Sequence, residues 1–171
     1  MAKIAAELNR PLDWFLVESP QAVVSRRTDA GTGGLTIRLD RAVDKAARDV
    51  EFLLEAGVLE STTNGVALPS PGSASEAEQL AERVRNVLGL DGDPLLELNQ
   101  VAEELGLLCF SLALGDAEGD GAYVSLGEIG VTVINGETDP GRRRFTLAHE
   151  IGHHVFARRI LSGPDSGRGR Y

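Results

Sequence analysis

A chain of 171 residues, 42% hydrophobic and 25% charged, has the size of one ordinary globular domain with an appendage. No run is long and apolar enough to span a bilayer, and the single cysteine, Cys109, excludes an internal disulfide framework. The net charge of −9 is unevenly spread: +1 over residues 1–50, −15 over 51–140 and +5 over 141–171. The acidic middle would repel a phosphate backbone, so no nucleic-acid partner is expected, and no membrane. An ordinary solvated surface and a basic partner both fit that charge. Residues 1–9 are short, mixed and charged, unlike a signal peptide, and a cytoplasmic protein is expected.

In chain order, residues 1–17 read as a short helix, then Pro11 and an apolar turn through Leu12, Trp14, Phe15 and Leu16. Such a piece cannot bury a core alone. Residues 19–36 are rich in Ser, Thr, Gly and Pro and read as loop or linker. Gly31-x-Gly33 follows no strand and carries little nucleotide-binding signal. Residues 40–56 predict a helix with Ala42, Val43, Ala46, Ala47, Val50, Leu53 and Leu54 on one face and Gly57 as its C-cap. Residues 60–73 form a second Ser/Thr/Gly/Pro-rich stretch, the best boundary in the chain.

Beyond it, Ser73 or Ser75 caps a helix over 76–88 with Leu80, Val84, Val87 and Leu88 inward. Pro94 opens a helix to Leu105, closed by Gly106. Strands follow at 107–114, 121–126 and 131–135, then an Asn135-Gly136 turn. Cys109, in an apolar run, reads as a small buried residue. The pattern predicts an α+β fold with helices packed on a small three-stranded twisted sheet.

The last helix carries the chemistry. Asp139 fits its N-cap, Pro140 its first position and Gly163-Pro164 its stop. Phe145, Ala148, Ile151, Val155 and Phe156 give an apolar stripe. On this helix stands His149-Glu150-x-x-His153, and the chain's three histidines all fall between 149 and 154. Imidazoles four residues apart stand on one helix face and can bind one Zn²⁺ from the same side. Glu150 sits about 100° further round, placed to serve a water as general base. The metal ligands are thus His149 and His153, and the catalytic base Glu150. His154 lies on another face and reads as a non-ligand with a hydrogen-bonding role. Arg142, Arg143 and Arg144 oppose the helix dipole in the first turn, so a solvated turn with acidic partners elsewhere in the fold is expected. Gly152 costs about 1 kcal/mol against alanine; a close backbone or room beside a metal would account for it.

Residues 75–160 resemble the ImmA/IrrE family of zinc-dependent metallopeptidases. The carriers are Val87-Leu88-Gly89 ending the Arg85 helix, the run Val101-Ala102-Glu103-Glu104-Leu105-Gly106-Leu107, Ile134-Asn135 and, most specific, Arg143-Arg144-Phe145-Thr146-Leu147-Ala148-His149-Glu150-Ile151-Gly152-His153. The resemblance implies a zincin-like fold with the HExxH on a long helix. It also implies a cytoplasmic peptidase that cleaves regulatory DNA-binding proteins, such as phage-type or mobile-element repressors. Residues 4–15 look like the last part of a phage-repressor (XRE-type) helix-turn-helix domain lacking its recognition helix. The organisation expected is therefore a remnant of that domain over 1–18, a linker region over 19–72 with one helix, and a metallopeptidase domain over 73–171. Both ends look truncated.

In this family the third zinc ligand is usually a glutamate on a following helix. This chain has no glutamate after Glu150, leaving Asp165, the Tyr171 carboxylate or a partner chain as candidates. Two functions therefore stay open: a zinc endopeptidase acting on a repressor-type regulator, and a catalytically silent regulatory or binding module of the same fold. A substrate strand is expected along residues 121–126 as an exposed sheet edge, with Tyr123 either near the oxyanion or packed at the surface.

Overall fold

The computed structural model describes residues 25–27, 37–60, 68–90, 92, 94–115 and 119–161, the side chains of 25–27 and 157–161 excepted. Its elements are β1 (Ser25–Arg27), α1 (Ile37–Glu55), α2 (Ala74–Val87), α3 (Leu98–Glu104), β2 (Leu107–Leu112), β3 (Gly121–Leu126), β4 (Ile129–Asn135) and α4 (Pro140–Leu161). The architecture is α+β, as the pattern of elements predicts. The residues read as a helix-turn-helix remnant, and the helix stop at Gly163-Pro164, lie outside the described residues.

The sheet is mixed, in the order β1-β3-β4-β2. β3 and β4 form an antiparallel hairpin, with Leu126 opposite Ile129 across Gly127 and Glu128. Gly127 takes φ +71°, the left-handed backbone such a tight turn requires. β2 runs parallel to β4, from Leu107 opposite Gly130 to Leu112 opposite Asn135. β1 lies antiparallel to β3, Arg27 opposite Gly121 and Ser25 opposite Tyr123. The expected edge at 121–126 is therefore corrected: the first three residues of β3 are paired, and β3 lies inside the sheet.

β4 is buried at every position, because helices cover both faces. Its side chains alternate between the two, as strand geometry dictates. Ile129, Val131 and Val133 meet α1 through Val50, Val43, Ala47 and Leu39. Ile134 packs on the other face with Tyr123, Leu107, Ala102 of α3 and Leu147 of α4. The helix from the linker-like stretch thus covers one face of the sheet over its two central strands, β3 and β4. A third cluster joins α2, α3 and α4 through Leu80, Val101, Leu105 and Val155.

Local chemistry accounts for the helix ends. Ser73 accepts the Glu76 amide at 3.2 Å, and the Glu76 carboxylate accepts the Gly72 amide at 2.6 Å, a near capping box. In α2, Leu80 is buried, but Val87 is 60% exposed rather than inward. α3 begins at Leu98, four residues later than Pro94 suggests, because Glu97 has φ −100°, ψ 67° outside the helical region. Gly106 follows at φ +82°, where the chain turns into β2.

Candidate metal centre

α4 begins as its sequence predicts. Asp139 accepts the Arg142 amide on its side chain at 2.9 Å and the Arg143 amide on its carbonyl at 3.0 Å. The three arginines of the first turn find acceptors. Arg142 pairs with Asp120 at 2.6 Å, Arg143 donates to the Gly136 carbonyl, and Arg144 donates to the Leu96 carbonyl at 3.1 Å. Asp120 is the acidic partner expected; the other two acceptors are backbone carbonyls, which complement a cation without a full opposing charge.

The helix buries a more polar face than its apolar stripe predicts. Thr146, Leu147, Glu150, His154 and Val155 are buried, whereas Phe145 is 60% exposed. Hydrophobic periodicity assigns the inside by side-chain type; here hydrogen bonds and a glycine-cleared surface make room for polar groups instead. His154 is fully buried, with Nδ1 3.1 Å from the Tyr123 hydroxyl and Nε2 2.9 Å from the Leu105 carbonyl. A carbonyl can only accept, so Nε2 carries the proton and Nδ1 accepts the Tyr123 hydroxyl hydrogen. Gly130 permits this arrangement: a Cβ there would stand 2.5 Å from His154 Nδ1 and 2.6 Å from a Tyr123 ring carbon. Tyr123 is thus fully buried and hydrogen-bonded to His154, neither a surface residue nor placed to hold an oxyanion.

One turn round the helix, His149 and His153 converge. Their Nε2 atoms are 3.0 Å apart and the rings stand edge-on at 79°. Two nitrogens each about 2.0–2.1 Å from one tetrahedral zinc ion lie roughly 3.3 Å apart, close to what is seen. Burial first, and the neighbouring His149 second, hold the His153 pKa below that of an ordinary imidazole. Both effects favour the neutral ring, the form that ligates a metal. The donor pair therefore fits two zinc positions. Among the described residues, no group of three His, Cys, Asp or Glu side chains could hold a metal, and Asp165 and Tyr171 lie outside them.

Glu150 is fully buried against the start of β3. A Cβ at Gly121 would lie 2.7 Å from Thr146 Cγ2 and 3.7 Å from Glu150 Oε1. The absence of a side chain at Gly121 is what lets α4 approach so closely. Burial pushes the Cys109 thiol up to about 11, with the charges of Glu103 and then Glu150 adding to it. Two clefts flank the helix. One, of about 220 Å³, is apolar and lined by residues including Leu80, Val84, Val101, Ala148, Gly152 and Phe156. The other, of about 270 Å³, includes Asn99, Cys109, Ser111, Arg143 and Arg144. Neither is lined by His149 or His153.

The sequence points to the HExxH turn, and the structure sets its three residues on consecutive sectors of one helix. It does not point to the Tyr123–His154 pair. A doubled histidine after HExxH, with a glycine and a tyrosine in the adjoining strands, was the available signal, but pairing those residues needs the sheet register.

An α+β fold with this turn lying across its sheet defines a metallopeptidase-like domain. Residues 102–168 match the family model Peptidase_M78, IrrE N-terminal-like domain, so the end of α3, the three longer strands and α4 are similar to that family, while α1, α2 and the start of α3 lie outside the match. No curated protein and no solved structure matches the chain.

Proposed function

We propose that this protein is a zinc-dependent endopeptidase whose substrate is a regulatory DNA-binding protein of the repressor type. The observation that carries the reading is the convergence of His149 and His153, Nε2 to Nε2 at 3.0 Å, within a segment similar to a peptidase family. Zinc held there would supply Lewis-acid polarisation of the scissile carbonyl and a more acidic water. Glu150 takes the proton of the attacking water and returns it to the leaving amine. Gly121 leaves the carboxylate room beside β3, since a Cβ there would lie 3.7 Å from Glu150 Oε1. His154, tied to Tyr123 and Leu105, sets the rotation of α4 and so the direction of the two imidazoles. A third ligand would come from outside the described residues, with Asp165 a candidate, or from a partner chain. The acidic surface of residues 51–140 argues against nucleic acid as the ligand.

A second reading has its own support. Glu150 is 0% exposed and the described residues hold only two of three ligands. Both features suit a catalytically silent module that keeps the fold and binds a regulator without cutting it. Cleavage of candidate repressor proteins by the zinc-loaded chain separates the two. The peptidase reading expects Glu150→Gln to retain zinc and lose at least about a hundredfold in rate, at the low end for a general acid–base group. Zinc binding with no cleavage by the parent chain would establish the silent module.

A further inference from the structure

The apolar cleft of about 220 Å³ takes no part in the metal centre, yet it adjoins the turn that carries it. Round an ideal helix, Glu150 lies about 60–100° to one side of His149 and His153, and Gly152 lies about as far to the other. Glu150 is on the side of the sheet, beside Gly121. Gly152 is on the side of the cleft, which it lines together with Ala148 and Phe156 of α4. Ala77, Ala81 and Val84 of α2 line it as well, and that helix lies outside the family match.

Small side chains on neighbouring helices ordinarily let the axes close to the short end of the usual 8–10 Å or so. Here α2 stays back: its Cα atoms hardly come within 8 Å of those of α4. Leu80, Val101 and Val155 join the three helices in a shared core, and the alanines and Gly152 leave a space beside it. That space gives Gly152 a purpose. A glycine inside a helix is destabilising, and a Cβ at Gly152 would meet only Phe156 of the same helix, at 3.8 Å. Among the described residues no neighbouring chain needs the room, whereas an occupant of the cleft does.

The lining selects the occupant. Among the described residues it is hydrocarbon throughout except for the half-buried Arg85. Apolar groups gain by leaving water there, and a polar group away from Arg85 would be buried without a partner. A guanidinium carries five donors in a fork that fits a carboxylate, enough to serve one beside another partner. The cleft is larger than the roughly 150 Å³ apolar cavity that takes up benzene.

We propose that this cleft binds a small hydrophobic monocarboxylate, its apolar part between α2 and α4 and its carboxylate on Arg85. Bound there, the ligand packs along the turn that carries the imidazoles and adds its binding free energy to this arrangement of α4. The inference does not rest on the peptidase reading.

The probe is hydrocinnamate, titrated by calorimetry with a chelator present, so that no zinc can hold its carboxylate. The parent chain should bind it saturably with Kd below about 1 mM. Ala81→Leu enlarges a wall residue that is exposed enough to accept the change. It should weaken binding at least about tenfold, the loss of about two buried methylenes. Arg85→Gln should weaken hydrocinnamate about two- to fivefold, as for a partly exposed ion pair, and leave hydrocinnamyl alcohol unchanged. No saturable binding, binding that needs zinc, or binding that Ala81→Leu leaves intact would overturn the proposal. So would an Arg85→Gln variant that loses acid and alcohol equally, or neither. If a variant fails to fold, methyl NMR on the parent chain decides. Hydrocinnamate should shift the methyls of Leu80, Val84 and Val155 and leave Val43 and Val131, on the α1 face of the sheet, in place. The reverse pattern refutes the site. Binding retained by His149→Ala leaves the cleft standing whatever becomes of the peptidase reading.

Discussion

His154 makes two hydrogen bonds inside the protein, and both orient α4. The Tyr123 hydroxyl at 3.1 Å and the Leu105 carbonyl at 2.9 Å fix its tautomer and ring plane. Tyr123→Phe removes the donor and leaves Nδ1 buried without it, a loss of about 1–3 kcal/mol. Urea unfolding of parent and variant reads that loss, and a change below a few tenths of a kcal/mol would show that the bond is unimportant. Cys109 offers a second test. Its thiol stays neutral until pH about 11, and only the thiolate is nucleophilic. At pH 8 the thiolate fraction is then about one in a thousand, against roughly a quarter for a free cysteine of pKa about 8.5. Iodoacetamide should therefore modify Cys109 at least a hundredfold more slowly than a free thiol. The rate should rise about tenfold per pH unit toward pH 11, while a plateau below pH 9 would contradict the account. At this scale the sequence speaks clearly where chemistry is local: Asp139 as cap, and His149 and His153 four apart. It is silent on Tyr123 with His154, whose meeting depends on which strand face lies beneath the helix.

At the scale of elements, α4 shows why the reading from periodicity was half right. Ile151, Val155 and Phe156 do face α2 and α3, but Phe145 turns to solvent and Glu150 and His154 turn inward. A functional helix departs from the apolar pattern where its polar groups are given partners or work to do. Gly152 is another departure. Among the described residues no close backbone explains it: a Cβ there would meet only its own helix's Phe156, at 3.8 Å. Gly152→Ala should therefore stabilise the protein by about 0.5–1 kcal/mol, the helix-propensity gain, seen as a raised thermal midpoint. A lowered midpoint would mean the cleft beside Gly152 is tighter than the structure has it. The strand positions were legible because 107–135 has short apolar runs between turn residues. Their order was not. Nothing in the strands themselves says that β2 runs parallel to β4, or that Ser25–Arg27 joins β3.

Over the whole molecule, three layers place the site. α1 covers one face of the central strands β3 and β4 with Leu39, Val43, Ala47 and Val50, and the other face carries α3 and α4. The amphipathic face of α1 is plain in the sequence, yet its role in covering the sheet is not, because Ser/Thr/Gly-rich stretches on either side read as linkers. Among the described residues no helix is long and apolar enough to cross a membrane. The net charge of −9 is concentrated in residues 51–140, which supply Asp120 and Asp139 to the basic first turn of α4. Function then depends on whether the converging pair on α4 holds an ion. Zinc content after gel filtration, read by mass spectrometry, tests this most directly on the parent chain, His149→Ala, His153→Ala and Glu150→Gln. The account predicts about one zinc per chain for the parent and Glu150→Gln, and near none for either alanine variant, as expected for loss of one of three ligands. A parent chain that carries no zinc, or alanine variants that keep it, would contradict the account.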